Sequence, residues 1–151
     1  PNHTVGRVTP FKTRGIIAMA GTFGYELDVT KIPEEDRNMI ASQVETYKKY
    51  CPIIQSGDYY RIASYQSNHY FDCYEIVSKD KKEAILVFVQ VIAQPNMHSI
   101  RVKLKGLDNE AKYKINGTVY DADALMNGGF IIKRPWGDFQ AELFHIEKIN
   151  D

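Results

Sequence analysis

Glu26 and Asp28 are the two groups in this chain best spaced for acid–base chemistry. They alternate along an extended-looking run, Thr22–Val29, and would stand roughly 6.6 Å apart on one face of a strand. That falls inside the ~6.5–9.5 Å at which paired carboxylates hydrolyse a glycosidic bond with inversion. Geometry argues against the role, because two carboxylates on one face of one strand cannot readily flank a sugar ring. The expectation is that both bond to neighbouring groups and that neither is catalytic. Asn2 and His3, in the opening Pro1-Asn2-His3 run, are better candidates for touching a substrate. The competing expectation is a loop whose polar side chains cap Thr9 or satisfy local backbone. His69, His98 and His145 lie far apart with no His-x3-His or Cys/His spacing, so no metal site is expected. Tyr59, Tyr60, Tyr65, Tyr70, Phe71, Tyr74 and Trp136 could stack on sugars. In strands such residues are commonly core or cross-strand partners, so exposure would favour the first reading and burial the second.

Composition narrows the function classes. The 151 residues carry 19 basic and 19 acidic side chains, a formal net charge of zero. Such a chain has no field to recruit nucleic acid or an anionic membrane. Its 44% hydrophobic and 25% charged content is ordinary for a folded domain, and no apolar run approaches the roughly 20 residues of a membrane-spanning helix. Cys51 and Cys73 lack a Cys-x2-Cys or Cys/His spacing and read as free thiols of a reducing compartment, which points to the cytoplasm. Asn2-His3-Thr4 and Asn116-Gly117-Thr118 match the N-glycosylation pattern, and a turn explains the second equally well.

The elements that must position these groups fall into two halves. Thr9-Pro10 before Phe11 predicts a helix over Thr9–Ala20, closed by Gly21, with Gly15 admitting a close neighbour. Phe23, Tyr25 and Leu27 alternate with Gly24, Glu26 and Asp28, which predicts a strand over Thr22–Val29. Pro33 and the acids Glu34, Glu35 and Asp36 open a second helix, with Ile40, Val44 and Tyr47 as its buried stripe and Lys48 and Lys49 in its last turn. Cys51-Pro52 is expected to stop it, because the residue before a proline is pushed out of helical space. From Asp58 the period changes to that of sheet. Strands are predicted over Asp58–Tyr65, Tyr70–Val77, Ala84–Ala93, Ser99–Lys105, Tyr113–Asn116, Thr118–Tyr120, Phe130–Lys133 and Phe139–Ile146. Asn116-Gly117 marks a type I′ hairpin, Asp123–Asn127 one helical turn ended by Gly128-Gly129, and the strand spacing an antiparallel β-sandwich. The order helix, strand, helix before it reads as the end of a (β/α)8 barrel.

Several ordered blocks support that organisation. The run from Pro1-Asn2-His3 through Gly6-Arg7, Thr9-Pro10 and Arg14-Gly15 to Met19 and Gly24-Tyr25-Glu26-Leu27-Asp28 closely resembles the end of the catalytic barrel in glycoside hydrolase family 36 α-galactosidases. The likeness continues through Tyr47-Lys48-Lys49-Tyr50, Gln55-x-Gly57-Asp58-x-Tyr60-Arg61, Lys105-Gly106-Leu107-Asp108 and Gly137-Asp138-Phe139-Gln140, and so covers nearly the whole chain. The resemblance implies that residues 1–52 end a (β/α)8 barrel and residues 53–151 form a C-terminal antiparallel β-sandwich. It implies a parent enzyme that removes terminal galactose from melibiose and raffinose-type oligosaccharides, with no cofactor, through two aspartates in segments reading roughly Lys-Trp-Asp and Ser-Asp-x2-Asp. Neither segment occurs here. A complete barrel needs roughly 250 residues, and the chain opens at Pro1 without Met, as a piece of a longer protein would. By the same resemblance Asn2 and His3 would sit at the pocket rim, past the end of the seventh strand. The chain alone is expected to be inactive, to need the remainder of the barrel as its partner, and to self-associate where Phe23, Tyr25, Leu27 and the Ile40 stripe lack a cover. The competing classes are a stand-alone carbohydrate-binding or assembly module and a small β-rich ligand carrier.

Overall fold

The computed structural model describes residues 6–96 and 99–149. Asn2, His3 and His98 therefore lie outside the described residues. Antiparallel strands are the commonest elements among the described residues, with few helices. Helix α1 spans Phe11–Ala18 and α2 spans Glu34–Ser56. Strands β1 (Asp58–Ala63), β2 (Phe71–Val77), β3 (Glu83–Gln90), β4 (Ser99–Val102), β5 (Lys112–Ile115), β6 (Thr118–Asp121), β7 (Phe130–Lys133) and β8 (Gln140–Lys148) follow, with a short helix α3 (Tyr65–Asn68) after β1. Every predicted strand beyond Asp58 is present. Six strands form one sheet in the order β1-β2-β3-β8-β5-β6, and β4 pairs with β7 separately. Asn116 and Gly117 both take positive φ between the paired residues Ile115 and Thr118, the turn their sequence requires. The predicted helical turn near Asp123 is a π-helical turn over Ala124–Gly128, closed by Gly129 at φ +90.

Alternation along each strand sorts the core. Cys73, Val77, Ala84, Leu86, Phe88 and Ile146 of the large sheet share one buried cluster with Ile100, Val102, Phe130 and Ile132 of the small one. The intervening residues face the other way. Ile76 and Ile85 meet Tyr50 and Ile53 of α2, while Val87 and Ala141 meet Ile16 of α1. The buried Thr13 hydroxyl of α1 accepts the Ala141 N–H, 3.1 Å away, which pairs a β8 amide that β3 leaves free.

Three segments near the helices depart from prediction. The α1 helix ends at Ala18, where the Met19 and Ala20 amides bond back to the Gly15 and Ile17 carbonyls, so Gly21 lies beyond its cap. Pro52 does not stop α2 but sits inside it, and Lys48 and Lys49 are consequently mid-helix. A helical proline costs ~3 kcal/mol. Burying Ile53 against Ile76 and Ile85 returns a similar amount, at about 1.5–3 kcal/mol for a large aliphatic side chain, and the Gly57 amide closes the last turn on the Ile53 carbonyl at 2.8 Å. The buried face of α2 is Gln43, Tyr50 and Ile53; Ile40, Val44 and Tyr47 are only half-buried.

The third correction concerns Thr22–Val29, which is not a strand. Its alternation is nevertheless present, with Phe23, Tyr25 and Leu27 half-buried while Gly24, Glu26 and Asp28 are exposed. Tyr25 stacks on Phe11 with ring centres 5.9 Å apart, and Phe23 meets Tyr25 and Tyr47 edgewise or tilted. The Tyr25 hydroxyl donates to the Gln43 side-chain carbonyl at 2.6 Å, and the Tyr47 hydroxyl donates to the Gly21 carbonyl. One side of the segment is thus bound to the helices. Strand identity also requires a neighbour exchanging N–H and C=O groups, and none is present among the described residues.

Gly15 is the close-approach residue its sequence suggested. A Cβ there would run into the Gln43 side-chain amide, which is buried between α1 and α2. Gly15→Ala should therefore destabilise the protein by about 1–2 kcal/mol, because displacing Gln43 breaks its bonds to Tyr25 and the Phe11 carbonyl. Helix propensity alone predicts a gain of ~1 kcal/mol. A rise in the urea midpoint would mean that Gln43 moves aside without loss.

Candidate functional site

Of the two carboxylates in the 22–29 segment, Asp28 is held for structure. Asp28 Oδ1 accepts from the Thr30 amide at 3.0 Å and the Thr30 hydroxyl at 2.6 Å, and Lys31 Nζ lies 3.2 Å from Oδ2. The Thr30 hydroxyl, then its amide and Lys31, lower the Asp28 pKa. A general acid in a glycosidase is tuned the other way, so Asp28 is an ionised turn-former. Glu26 is exposed on the same side of the chain. His69 ends α3 in the left-handed region at φ 62. The His145 ring lies 5.1 Å from the Tyr50 ring, with Nε2 3.7 Å from a Glu83 oxygen, too long for a hydrogen bond. Among the described residues no three His, Cys, Asp or Glu side chains are grouped to hold a metal ion. Cys51 and Cys73 are unbridged, and burial pushes the Cys73 thiol up to about 12, so it is inert.

A cleft of about 410 Å³ lies between α1, α2 and β8. Ile16, Met19 and Leu143 contribute apolar wall, and Lys12 and Glu142 pair beside it at 2.8 Å. The hydroxyls of Ser42 and Thr46 in its lining bond back to helix carbonyls, so their donors are already used. No nucleophile and base are brought together there.

The aromatic set divides. Tyr60, Tyr65, Phe71 and Tyr74 are half-buried, with Phe71 against Phe88 at 5.2 Å; Tyr59 and Tyr70 are exposed, although Tyr59 lies against Tyr74. Trp136 stands 90% exposed.

A different group, Glu75, is strongly perturbed. It alternates with Cys73 and Val77 on the inner face of β2 and is 0% exposed. Its Oε2 accepts the Lys105 amide at 2.8 Å, while Oε1 has no partner. Burial raises its pKa to about 8, only partly opposed by the Lys105 amide and charge. The sequence signal is one acid on the apolar register of Phe71–Val77, a lone carboxyl with no spaced acidic mate. The ordered blocks have structural explanations too. Around Glu75, Gly106 takes φ +74 against the Tyr60 ring, Leu107 is buried and Asp108 pairs with Lys148 at 2.8 Å. In the second block, Gly137 takes φ +88, and Asp138 Oδ1 accepts the Ala93 amide at 2.7 Å.

Comparison with known proteins joins the two halves. Residues 1–57 match the sequence model of the melibiases, and residues 71–146 match that of the glycosyl hydrolase family 36 C-terminal domain. The alpha-galactosidase Mel36A of Lactobacillus acidophilus is 40% identical over 99% of this chain, which spans 20% of that protein. The alpha-galactosidase AgaA of Geobacillus stearothermophilus is 38% identical over 99% of the chain and 20% of its own length. The solved galactosidase domain of the alpha-galactosidase-sucrose kinase AgaSK superposes with a TM-score of 0.92 at 36% identity, over 99% of this chain and 21% of that one. A raffinose complex of AgaA gives 0.92 at 37% identity, again over 99% and 21%. The chain thus spans about a fifth of the relatives it matches.

Proposed function

This chain belongs to glycosyl hydrolase family 36, and on that premise we propose that it is the C-terminal part of a longer retaining α-galactosidase. The observation that carries the reading is the succession of a melibiase match over residues 1–57 and a family 36 C-terminal match over residues 71–146 in one polypeptide. Two aspartates upstream would act as nucleophile and acid/base in the double displacement of a retaining glycosidase. The substrates would be terminal α-galactosides such as melibiose and raffinose, in a cytoplasmic enzyme needing no metal or organic cofactor.

Residues 1–52 would close the barrel and residues 53–151 would form the sandwich that braces it. Support for the first assignment comes from Thr22–Val29, whose half-buried residues lie against α1 and α2 while the alternate residues are exposed. A helix pair flanking an unpaired extended segment is what the end of a barrel leaves when the neighbouring strands are supplied from elsewhere. Support for the second comes from the buried cluster shared by the six-stranded and two-stranded sheets. Asn2 and His3 would stand at the rim of the substrate pocket, contacting sugar without acting as acid or base. The same exposed edge is a route to self-association if the barrel partner is missing.

The test is hydrolysis of raffinose by the full-length gene product and by the 151-residue chain, both purified free of host galactosidase. Activity is expected of the first and not of the second. Galactose release by the short chain alone would falsify the assignment of catalysis to upstream residues, and an inert full-length protein would remove the α-galactosidase reading.

A further inference from the structure

Three loops meet beside the start of the described chain, and each carries an apolar side chain out into solvent. The Arg7 guanidinium lies 6.0 Å from the centre of the Phe139 ring, the Phe139 amide donates to the Val91 carbonyl at 3.2 Å, and the Ala93 amide donates to Asp138. Val8 is 85% exposed, Ile92 39% and Trp136 90%. Trp136 is the sole tryptophan of the sequence.

The loop carrying Trp136 is fixed rather than slack. Gln90 closes β3 with its side chain 2% exposed, and its amide nitrogen donates to both the Pro135 and Gly137 carbonyls that flank the tryptophan. Asp138 adds the bond from Ala93, and Gly137 and Phe139 hold positive φ around it. A buried amide committed to keeping an exposed indole in one place is pre-organisation for a contact, and tryptophan is the side chain most enriched at the energetic centres of protein interfaces.

Resting on the reading of this chain as part of a longer enzyme, we infer that the loops bearing Val8, Ile92 and Trp136 seat the polypeptide that precedes this chain, with Trp136 as the anchor. The chain spans about a fifth of its relatives, so four-fifths of such a protein remains to cover this surface, and Arg7, early in the described residues, lies beside it against the Phe139 ring. A sugar is the poorer occupant. A pyranose stacked on an indole also needs polar groups aimed at its hydroxyls, whereas the Gln90 amide is turned inward to the loop carbonyls and Asp138 Oδ1 is bound to the Ala93 amide. These polar contacts hold the loop, and Arg134 is the cation beside the ring. Val8 and Ile92 add exposed aliphatic surface on the two loops that the Arg7, Val91 and Ala93 contacts join to the tryptophan loop.

Hydroxyl-radical footprinting of the full-length protein, read at Trp136 by mass spectrometry with and without raffinose, tests this. Trp136 should oxidise at least about tenfold more slowly than in the urea-unfolded protein, and raffinose should leave that rate unchanged. Oxidation as fast as in urea overturns the inference, since the ring is then bare. Oxidation slowed only by raffinose overturns it in favour of a sugar contact. Trp136→Ala should lower the melting temperature of the full-length protein without raising KM for raffinose, and Trp136→Phe should restore most of the loss. A raised KM with unchanged melting overturns the inference as well. Lack of hydrolysis by the unmodified full-length protein bears on the α-galactosidase reading alone, because the footprint is read without activity.

Discussion

Glu75→Gln should make this protein more stable at pH 8 and flatten its stability between pH 5 and 8. The ordinary carboxyl pKa of 4.5 rises to about 8 in the folded chain because burial disfavours the anion. Between those values the folded state holds a proton that the unfolded state has released. Stability contributed by Glu75 is therefore complete below pH 4.5, falls as pH rises, and is lost once pH passes about 8. Each unit of that window is worth about 1.4 kcal/mol, so the total is on the order of 5 kcal/mol. Glutamine keeps the acceptor for the Lys105 amide and cannot ionise. The groups around the carboxyl are Cys73 on its own strand, Tyr60 across the β1 pairing, Lys105 on the covering turn, and Tyr113 on β5, which senses its charge. Burial raises the Cys73 and Tyr113 values, which moves both further above the window.

Urea unfolding of both forms from pH 4 to 9 gives the test. Asp28, Asp80, Asp108 and Glu147, whose pKa values are lowered by exposed local partners, tilt both curves alike on the acid side and cancel in the difference. The difference should be small near pH 4 and grow in favour of the variant toward pH 8. Parallel curves would mean that Glu75 ionises in the folded state at little cost, through a partner that Oε1 acquires.

Gly106→Ala should destabilise the same corner by ~2–4 kcal/mol, the sum of a left-handed backbone penalty and overpacking. Gly106 sits at φ +74, and a Cβ there would come within 2.5 Å of the Tyr60 ring carbons. Tyr60 is half-buried against the main cluster and pairs with Glu75 across β1 and β2, so the ring has little freedom to retreat. Shifting the turn instead draws the Lys105 amide from Glu75 and leaves both carboxyl oxygens unpartnered in the core. Amide exchange at Lys105 should accelerate in the variant along with the fall in urea midpoint. An unchanged midpoint would show that the turn relaxes without disturbing either contact.

Local chemistry was legible in the sequence wherever a residue and its near neighbours decide the outcome. Asn116-Gly117 dictates a hairpin because few other pairs accept two positive φ values. Ile100, Val102 and Leu104 alternate with basic residues and are buried as that alternation requires. Gly15 announced a close approach, and Gln43 fills it. The ordered blocks declared the family from the order of residues alone, although their structural explanations are turns and packing, not catalysis.

Partners distant in the chain decided the rest. Pro52 was a helix stop by its own covalent geometry, yet Ile53 docks on Ile76 and Ile85 and carries α2 one turn further. Thr22–Val29 holds the alternation of a strand, but a strand is completed by hydrogen bonds to another segment, and no local pattern supplies that segment. Glu75 reads as an ordinary acid until the Lys105–Gly106 turn closes over it and removes its water. The sequence by itself determined the family, the strands and the turns, because those follow from backbone sterics and side-chain period. The tertiary structure decided which carboxyl is buried and which segment stays unpaired, because desolvation and pairing are properties of neighbours brought together only by the fold.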